Sequence, residues 1–305
     1  MKGEQLSPPL PLAREAQARF EVEESARSWH WRMMLKRLRR NRGALIGLAI
    51  VMVVASGAIF APWLTPYDPN VAQGARLQGP SVEFPLGTDN LGRDILSRLL
   101  YGARPSLGSA ALATAVILLI GVTVGATVGY IGGIVDDVAM RVVDVLMAFP
   151  LLIMALAIVG FLGPGLRNVL LAVILVVWAE YARLVRGLVL ELREREFVLA
   201  AIAMGAGRRH VIRKHIIPNL ISPVIVFASL QMGFLLLTIS GLSFLGLGIQ
   251  PPNPEWGSML NAARTFFQLA PQLMAYPGLL IMVTVLGFTL LGDGRRDVLD
   301  PTQTH

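Results

Sequence analysis

Five stretches of this chain contain no Asp, Glu, Lys or Arg: 43–67, 105–135, 145–166, 215–254 and 265–292. Each exceeds the roughly 20 residues that a helix needs to cross a hydrocarbon core. A sixth apolar segment, 168–190, is interrupted only by Glu180, Arg183 and Arg186. With 54% hydrophobic residues, 15% charged residues and a mean hydropathy of +0.60, a chain of 305 residues carries too much apolar surface for a soluble domain. These runs predict an all-α integral membrane protein with six transmembrane helices.

The cationic residues orient those helices. If both termini are cytoplasmic, the inside segments 27–42, 131–144, 183–214 and 293–305 hold 18 Lys and Arg against 6 outside, which is the asymmetry the positive-inside rule requires. The net charge of +7 sits beside membrane helices, so lipid headgroups rather than nucleic acid are its expected counter-charge. The absence of cysteine excludes disulfides and thiolate metal sites. His30, His210, His215 and His305 have no metal-ligand spacing, and a five-residue separation places His210 and His215 on different faces of an α-helix. Residues 1–41 are expected to be a cytoplasmic tail, longer than the leader of a cleaved signal peptide, and 294–305 a second tail.

Between two of the apolar runs lies EFVLAAIAMGAGRRHVIRKHIIPN, residues 196–219, which predicts a polar, basic helix-turn-helix. From Ala200 to Gly207 six of eight residues are Ala or Gly, so a partner can approach the backbone closely. Gly205, Ala206 and Gly207 can supply a left-handed helix end, and Pro218 is expected to stop the second helix. Phe197, Ala201, Met204 and Gly205 share one face by spacing. A hairpin that packs only against neighbouring helices remains the alternative. The segment resembles the cytoplasmic coupling loop of ABC importer permeases, with Ala200, Ala201, Gly205 and Pro218 on its positions. Glu196 stands where the peptide-permease version has its acid, and Leu199 replaces the acid that often precedes the Ala pair. The resemblance implies that Glu196, Ala200, Ala201, Gly205, Ala206, Gly207, His215 and Pro218 contact an ATP-hydrolysing partner.

The first span is expected over 42–64 and an extracytoplasmic loop over 65–103. Within that loop, residues 85–107 predict an interfacial helix capped by Thr88 or Asp89. A second helix, about 106–130, carries Gly121, Gly125 and Gly129, which clear one face for another helix. Residues 132–144 read as a short turn whose Asp136, Asp137, Arg141 and Asp144 either form local ion pairs or touch a partner. Helices at about 142–161, 168–188, 219–248 and 274–292 follow. The run Leu86-Gly87-Thr88-Asp89-x-Leu91-Gly92-Arg93-Asp94, with residues 240–260 and 290–301, resembles the C-type permease subunits of dipeptide, oligopeptide, glutathione and nickel importers. That likeness implies a type I ABC importer permease fold, with a five-helix domain over 104–293 enclosing the coupling loop 196–218.

A phosphate loop needs a Gly-Lys pair, and Lys2, Lys36 and Lys214 do not follow glycine. The chain is therefore expected to be non-catalytic and to hold no metal or cofactor, with ATP and Mg bound by its partners. The family implies a homologous second permease, two cytoplasmic ATP-binding subunits or domains and an extracytoplasmic substrate-binding protein, all at the inner membrane. Glu180, the one carboxylate deep in an apolar run, is expected to pair with Arg183, to line the translocation path with it, or to meet the sister permease. Two rival functions are a stand-alone secondary transporter or channel, which calls for buried acidic relays or inverted repeats, and a membrane-embedded hydrolase, which needs a nucleophile and base within the bilayer.

Overall fold

The computed structural model describes residues 41–299, with side chains as far as Gly294; nearly all of the predicted tail 1–41 and half of the predicted tail 294–305 lie outside the described residues. The first helix, α1 (Arg42–Ile59), starts where the Asn41 side chain accepts the Ala44 N–H at 3.1 Å. It ends just before a one-turn α2 (Ala61–Leu64), with Pro62 in the first turn where its missing N–H costs nothing.

The predicted interfacial helix is not a separate element. Residues 85–94 are irregular, and the cap is Asp94, whose Oδ2 accepts the Ser97 N–H at 2.8 Å. From there α3 (Ile95–Ile131) runs 37 residues without a break, carrying Pro105 inside it. Proline removes one hydrogen bond of the ladder, but buried Leu99, Ala103, Ala110, Ala113 and Ile117 continue one apolar face across it.

The predicted third span is also different. Helix α4 (Gly133–Ala148) begins where a short turn was expected, and α5 (Leu151–Leu162) follows at 88° to it. Phe149 is extended at ψ 140° because the Pro150 ring disfavours helical geometry in the residue before it. Helix α6 (Leu166–Leu192) then runs straight through Glu180, Arg183 and Arg186. A hairpin helix α7 (Glu196–Ala203) leads to α8 (Arg208–Val211), which passes through a π-turn over Ile212–Ile216 into α9 (Ile217–Phe244). A short α10 (Trp256–Ala263) and the long α11 (Gln272–Leu299) are the last helices among the described residues. Among the described residues, five helices are long and apolar enough to span a membrane, and the bent α4–α5 pair is the sixth candidate.

The core lies where α3, α6 and α9 meet, around Ile117, Val173, Tyr181, Leu235 and Ile239. The glycine stripe of α3 makes this possible: a Cβ on Gly121 would lie 2.5 Å from Tyr181 Cβ, and one on Gly125 2.5 Å from Ala182 O. The acids of α4 do not pair locally. Asp136 receives both Nε and NH2 of Arg186 at 2.5 and 2.6 Å, and Asp144 pairs with Arg183, so α4 is clamped onto α6.

At one end of the bundle, the platform end, the two long loops lock together. Asp89 accepts the N–H groups of Leu91 and Arg93 at 2.8 and 3.0 Å and the Arg93 Nε at 2.7 Å. Arg98 donates to Pro69 O at 2.6 Å and to Pro252 O at 3.3 Å. Fully buried Glu255 accepts from Gly257 N and Ser258 N at 2.9 Å each, capping α10, and from Ser106 Oγ at 3.2 Å. The Leu86–Asp94 run is thus a self-closed loop that sets the start of α3.

Candidate functional site

The opposite end of the bundle carries the 196–218 hairpin. Helix α7 closes in a Schellman motif: the Gly205 N–H reaches Ile202 O at 2.9 Å, the Ala206 N–H reaches Ala201 O at 3.0 Å, and Gly205 adopts φ +84°. The left-handed residue anticipated in the Gly-Ala-Gly run is therefore Gly205. Gly207, at φ −69°, instead caps α8, with its carbonyl accepting the Val211 N–H at 3.1 Å.

Burial divides the hairpin into two faces. Val198, Ala201, Val211 and Ile216 are buried, and Ala206 packs partly against the cluster that holds Val198, Val211 and Ile216. Phe197, Leu199, Ile202 and Met204 are exposed, Met204 by 83%, alongside exposed Glu196, Ala200, Gly205 and Gly207. The face expected to hold Phe197, Ala201, Met204 and Gly205 together is consequently split, because Ala201 turns inward with Val198. What remains outward is three large apolar side chains on one eight-residue helix and a fourth, Met204, at its C-cap, followed by exposed Arg208, Arg209, Arg213 and Lys214. An apolar patch rimmed by charge marks a contact with protein, membrane or ligand.

Pro218 does not stop the second helix. The π-turn over Ile212–Ile216 widens the backbone just before it, the Ile217 N–H bonds Ile212 O, and Asn219 Nδ2 takes His215 O at 2.6 Å. Arg208–Phe244 is thereby one helix of 37 residues. The wide turn also changes the register that separated the histidines: the His210 and His215 rings lie 5.9 Å apart, and His215 lies 6.3 Å from Phe197. His215 and Pro218 sit half-buried at the base of the hairpin, away from its Gly205 tip.

Glu180 and Arg183 are not paired with each other. Glu180 accepts from Gln231 Nε2 of α9 at 2.9 Å, and Arg183 is bound to Asp144. A polar amide in the middle of the uncharged run 215–254 was the available signal for Gln231; nothing local indicated Asp144, 39 residues from its partner. The exposed face of α6 rotates along its length. Toward the platform end it shows Leu171 and Leu175; toward the hairpin end it shows Arg183, Gly187 and Glu191, with half-buried Glu180 and Leu184 alongside this second group. At 100° per residue the two faces lie roughly half a turn apart.

Among the described residues no cluster of three or more His, Cys, Asp or Glu could hold a metal. A cleft of about 790 Å³ opens at the platform end beside Tyr67, Tyr101 and Arg104.

Comparison with known proteins places this architecture. Residues 121–305 match the binding-protein-dependent transport system inner membrane component family, and residues 30–80 match the N-terminal TM domain of oligopeptide transport permease C. The dipeptide transport system permease protein DppC of Alkalihalophilus pseudofirmus is 46% identical, covering 89% of this chain and 90% of its own. The nickel transport system permease protein NikC of Escherichia coli K12 is 44% identical over 84% and 93%, respectively. The glutathione transport system permease protein GsiD of Pectobacterium atrosepticum is 43% identical over 89% and 91%. With these matches and its apolar helices, the chain belongs to the binding-protein-dependent transport system inner membrane component family, as a multi-pass ABC importer permease of the dipeptide, nickel and glutathione group with the type I fold.

Proposed function

We propose that this chain is the C-type permease of an ATP-driven importer of di- or oligopeptides, forming the translocation path with a homologous second permease. The observation that carries the reading is the hairpin: a Schellman-closed helix that turns Phe197, Leu199, Ile202 and Met204 outward beside a basic run. That surface receives a cytoplasmic ATP-binding subunit, through Glu196, Ala200, Gly205 and Gly207 on the exposed side and through Ala201, Ala206, His215 and Pro218 on the buried and half-buried side behind them. A helix lodged in a groove by apolar anchors is a common recognition mode. Two ATPases, which bind ATP and Mg, and an extracytoplasmic binding protein complete the machine, with both termini cytoplasmic and the platform end outside. The first span occupies 42–64, the five-helix unit 104–293, and the path follows the α6 face of Glu180 and Arg183.

Driving a two-state transporter from 1:99 to 99:1 takes about 5.5 kcal/mol, more than an exposed ion pair supplies but within reach of a docked apolar helix. The best-supported peptide substrate class comes from the DppC relative at 46% identity. The test is reconstitution of this chain with its sister permease, ATPases and binding protein in proteoliposomes. Uptake of a dipeptide that requires ATP, and an ATPase that co-purifies with this chain, are the expected results. Transport by this chain alone, driven by an ion gradient, would replace the reading with that of a secondary transporter.

A further inference from the structure

Glu180 lies fourteen residues after Leu166 and twelve before Leu192, at the middle of a membrane-crossing helix. Its hydrogen-bond partner is a neutral amide, Gln231 Nε2 at 2.9 Å. The two cations that follow it on α6 are committed elsewhere, Arg183 to Asp144 and Arg186 to both oxygens of Asp136. Neither neutralises Glu180. The carboxylate is half-buried and belongs to the exposed face that continues through Arg183, Gly187 and Glu191 to the hairpin end. Arg183 and Asp144 are exposed by 43% and 58%. Charged side chains at this depth face a bundle interior or a water-filled cavity, because hydrocarbon does not solvate them.

We propose that Glu180 and Gln231 form the point in this path that receives the protonated amino group of the transported substrate. This rests on the permease reading above and adds the substrate chemistry to it. An ammonium group brings three N–H donors and no acceptor. With its Nε2 given to Glu180, Gln231 retains Oε1, so the pair presents carboxylate and amide oxygens together. A bare divalent ion would need a larger ligand set, and Glu180 belongs to no group of three or more His, Cys, Asp or Glu among the described residues. The Asp144–Arg183 pair has a second effect: it keeps the Arg183 guanidinium from occupying the place meant for the substrate cation.

The absence of cysteine makes a clean test possible. In the reconstituted complex, Leu184→Cys, one turn from Glu180 on the same face, is compared with Leu175→Cys on the opposite one. A membrane-impermeant thiol reagent should modify the first at least about tenfold faster if the face is wet. An ammonium-bearing reagent should then be favoured over a sulfonate-bearing one, and adding Glu180→Gln should lower that ratio about tenfold, since one charge about 6 Å away acts oppositely on the two. Dipeptide uptake should fall about tenfold or more in Glu180→Gln, the equivalent of at least about 1.4 kcal/mol, and be largely retained in Glu180→Asp. Equal labelling at 184 and 175, an unchanged reagent ratio, or normal uptake by Glu180→Gln would each overturn the proposal. If the parent complex shows no ATP-dependent dipeptide uptake, it is the peptide-importer reading that fails.

Discussion

Substitution at Gly205 separates the backbone requirement of the hairpin from its docking role. Gly205 adopts φ +84°, and a Cβ built on it meets no atom within 4 Å. Any cost within this chain is therefore conformational: a left-handed L-residue is disfavoured by about 1–2 kcal/mol, less for Asn, whose side chain bonds locally. Because α7 is only eight residues long, that cost falls on a hairpin with little else to hold its end. A loss of 1–2 kcal/mol changes the population of the closed turn about 5- to 30-fold. Gly205→Ala should thus loosen the hairpin, visible as faster proteolysis between Met204 and Arg209, with a moderate loss of uptake. Gly205→Asn should keep the turn closed. Gly205→Asp adds a charge and bulk to the face turned outward, so the complex should reach the membrane at the normal level while ATPase co-purification, substrate-stimulated ATP hydrolysis and uptake fall together. Membrane level, protease sensitivity and uptake are measured on the same preparations. Normal uptake by Gly205→Asp in an intact complex would refute the coupling role, and Ala and Asn variants of equal protease sensitivity would refute the strain argument.

Gly121→Leu should abolish accumulation of folded protein, because even its Cβ would lie 2.5 Å from Tyr181 Cβ on the abutting helix; a normal level on a membrane immunoblot would contradict the α3–α6 packing. Asp136→Asn removes the anionic partner of the bidentate Arg186 and should cost about 1–3 kcal/mol, read as a lower melting temperature of the detergent-solubilised complex, with the Asp136→Arg, Arg186→Asp exchange recovering part of it. Burial holds the Glu255 carboxyl above the ordinary glutamate range, against the lowering effect of the Gly257 and Ser258 N–H groups. The folded protein then keeps that proton to higher pH than the unfolded chain does, so platform stability declines as pH rises from the ordinary range through the raised value. Glu255→Gln and Glu255→Ala should both flatten this slope, and Glu255→Ala should in addition lie about 1 kcal/mol below Glu255→Gln through the lost cap; thermal unfolding followed across pH distinguishes them.

Much of this protein is legible in its sequence. Uncharged runs of this length read as helices, since lipid offers no partner to an unpaired backbone group and a barrel strand crosses in about 9–11 residues. Glycines at 121, 125 and 129 imply a close helix neighbour, and a Gly-Ala-Gly run after a short helix implies a left-handed end. These are local properties of composition and spacing. Which prolines break a helix is not local. Pro150 bends the chain by 88°, Pro105 is carried inside α3, and Pro218 is absorbed behind a π-turn. The same ring clash has three outcomes because packing on either side decides whether one lost hydrogen bond is tolerated. Partner choice among charges is likewise decided in space: Arg183 lies three residues from Glu180 in the chain, but the fold sets Asp144 beside it and leaves Glu180 to Gln231. Electrostatic pairing follows distance through the bundle, and that distance exists only once α4, α6 and α9 have come together.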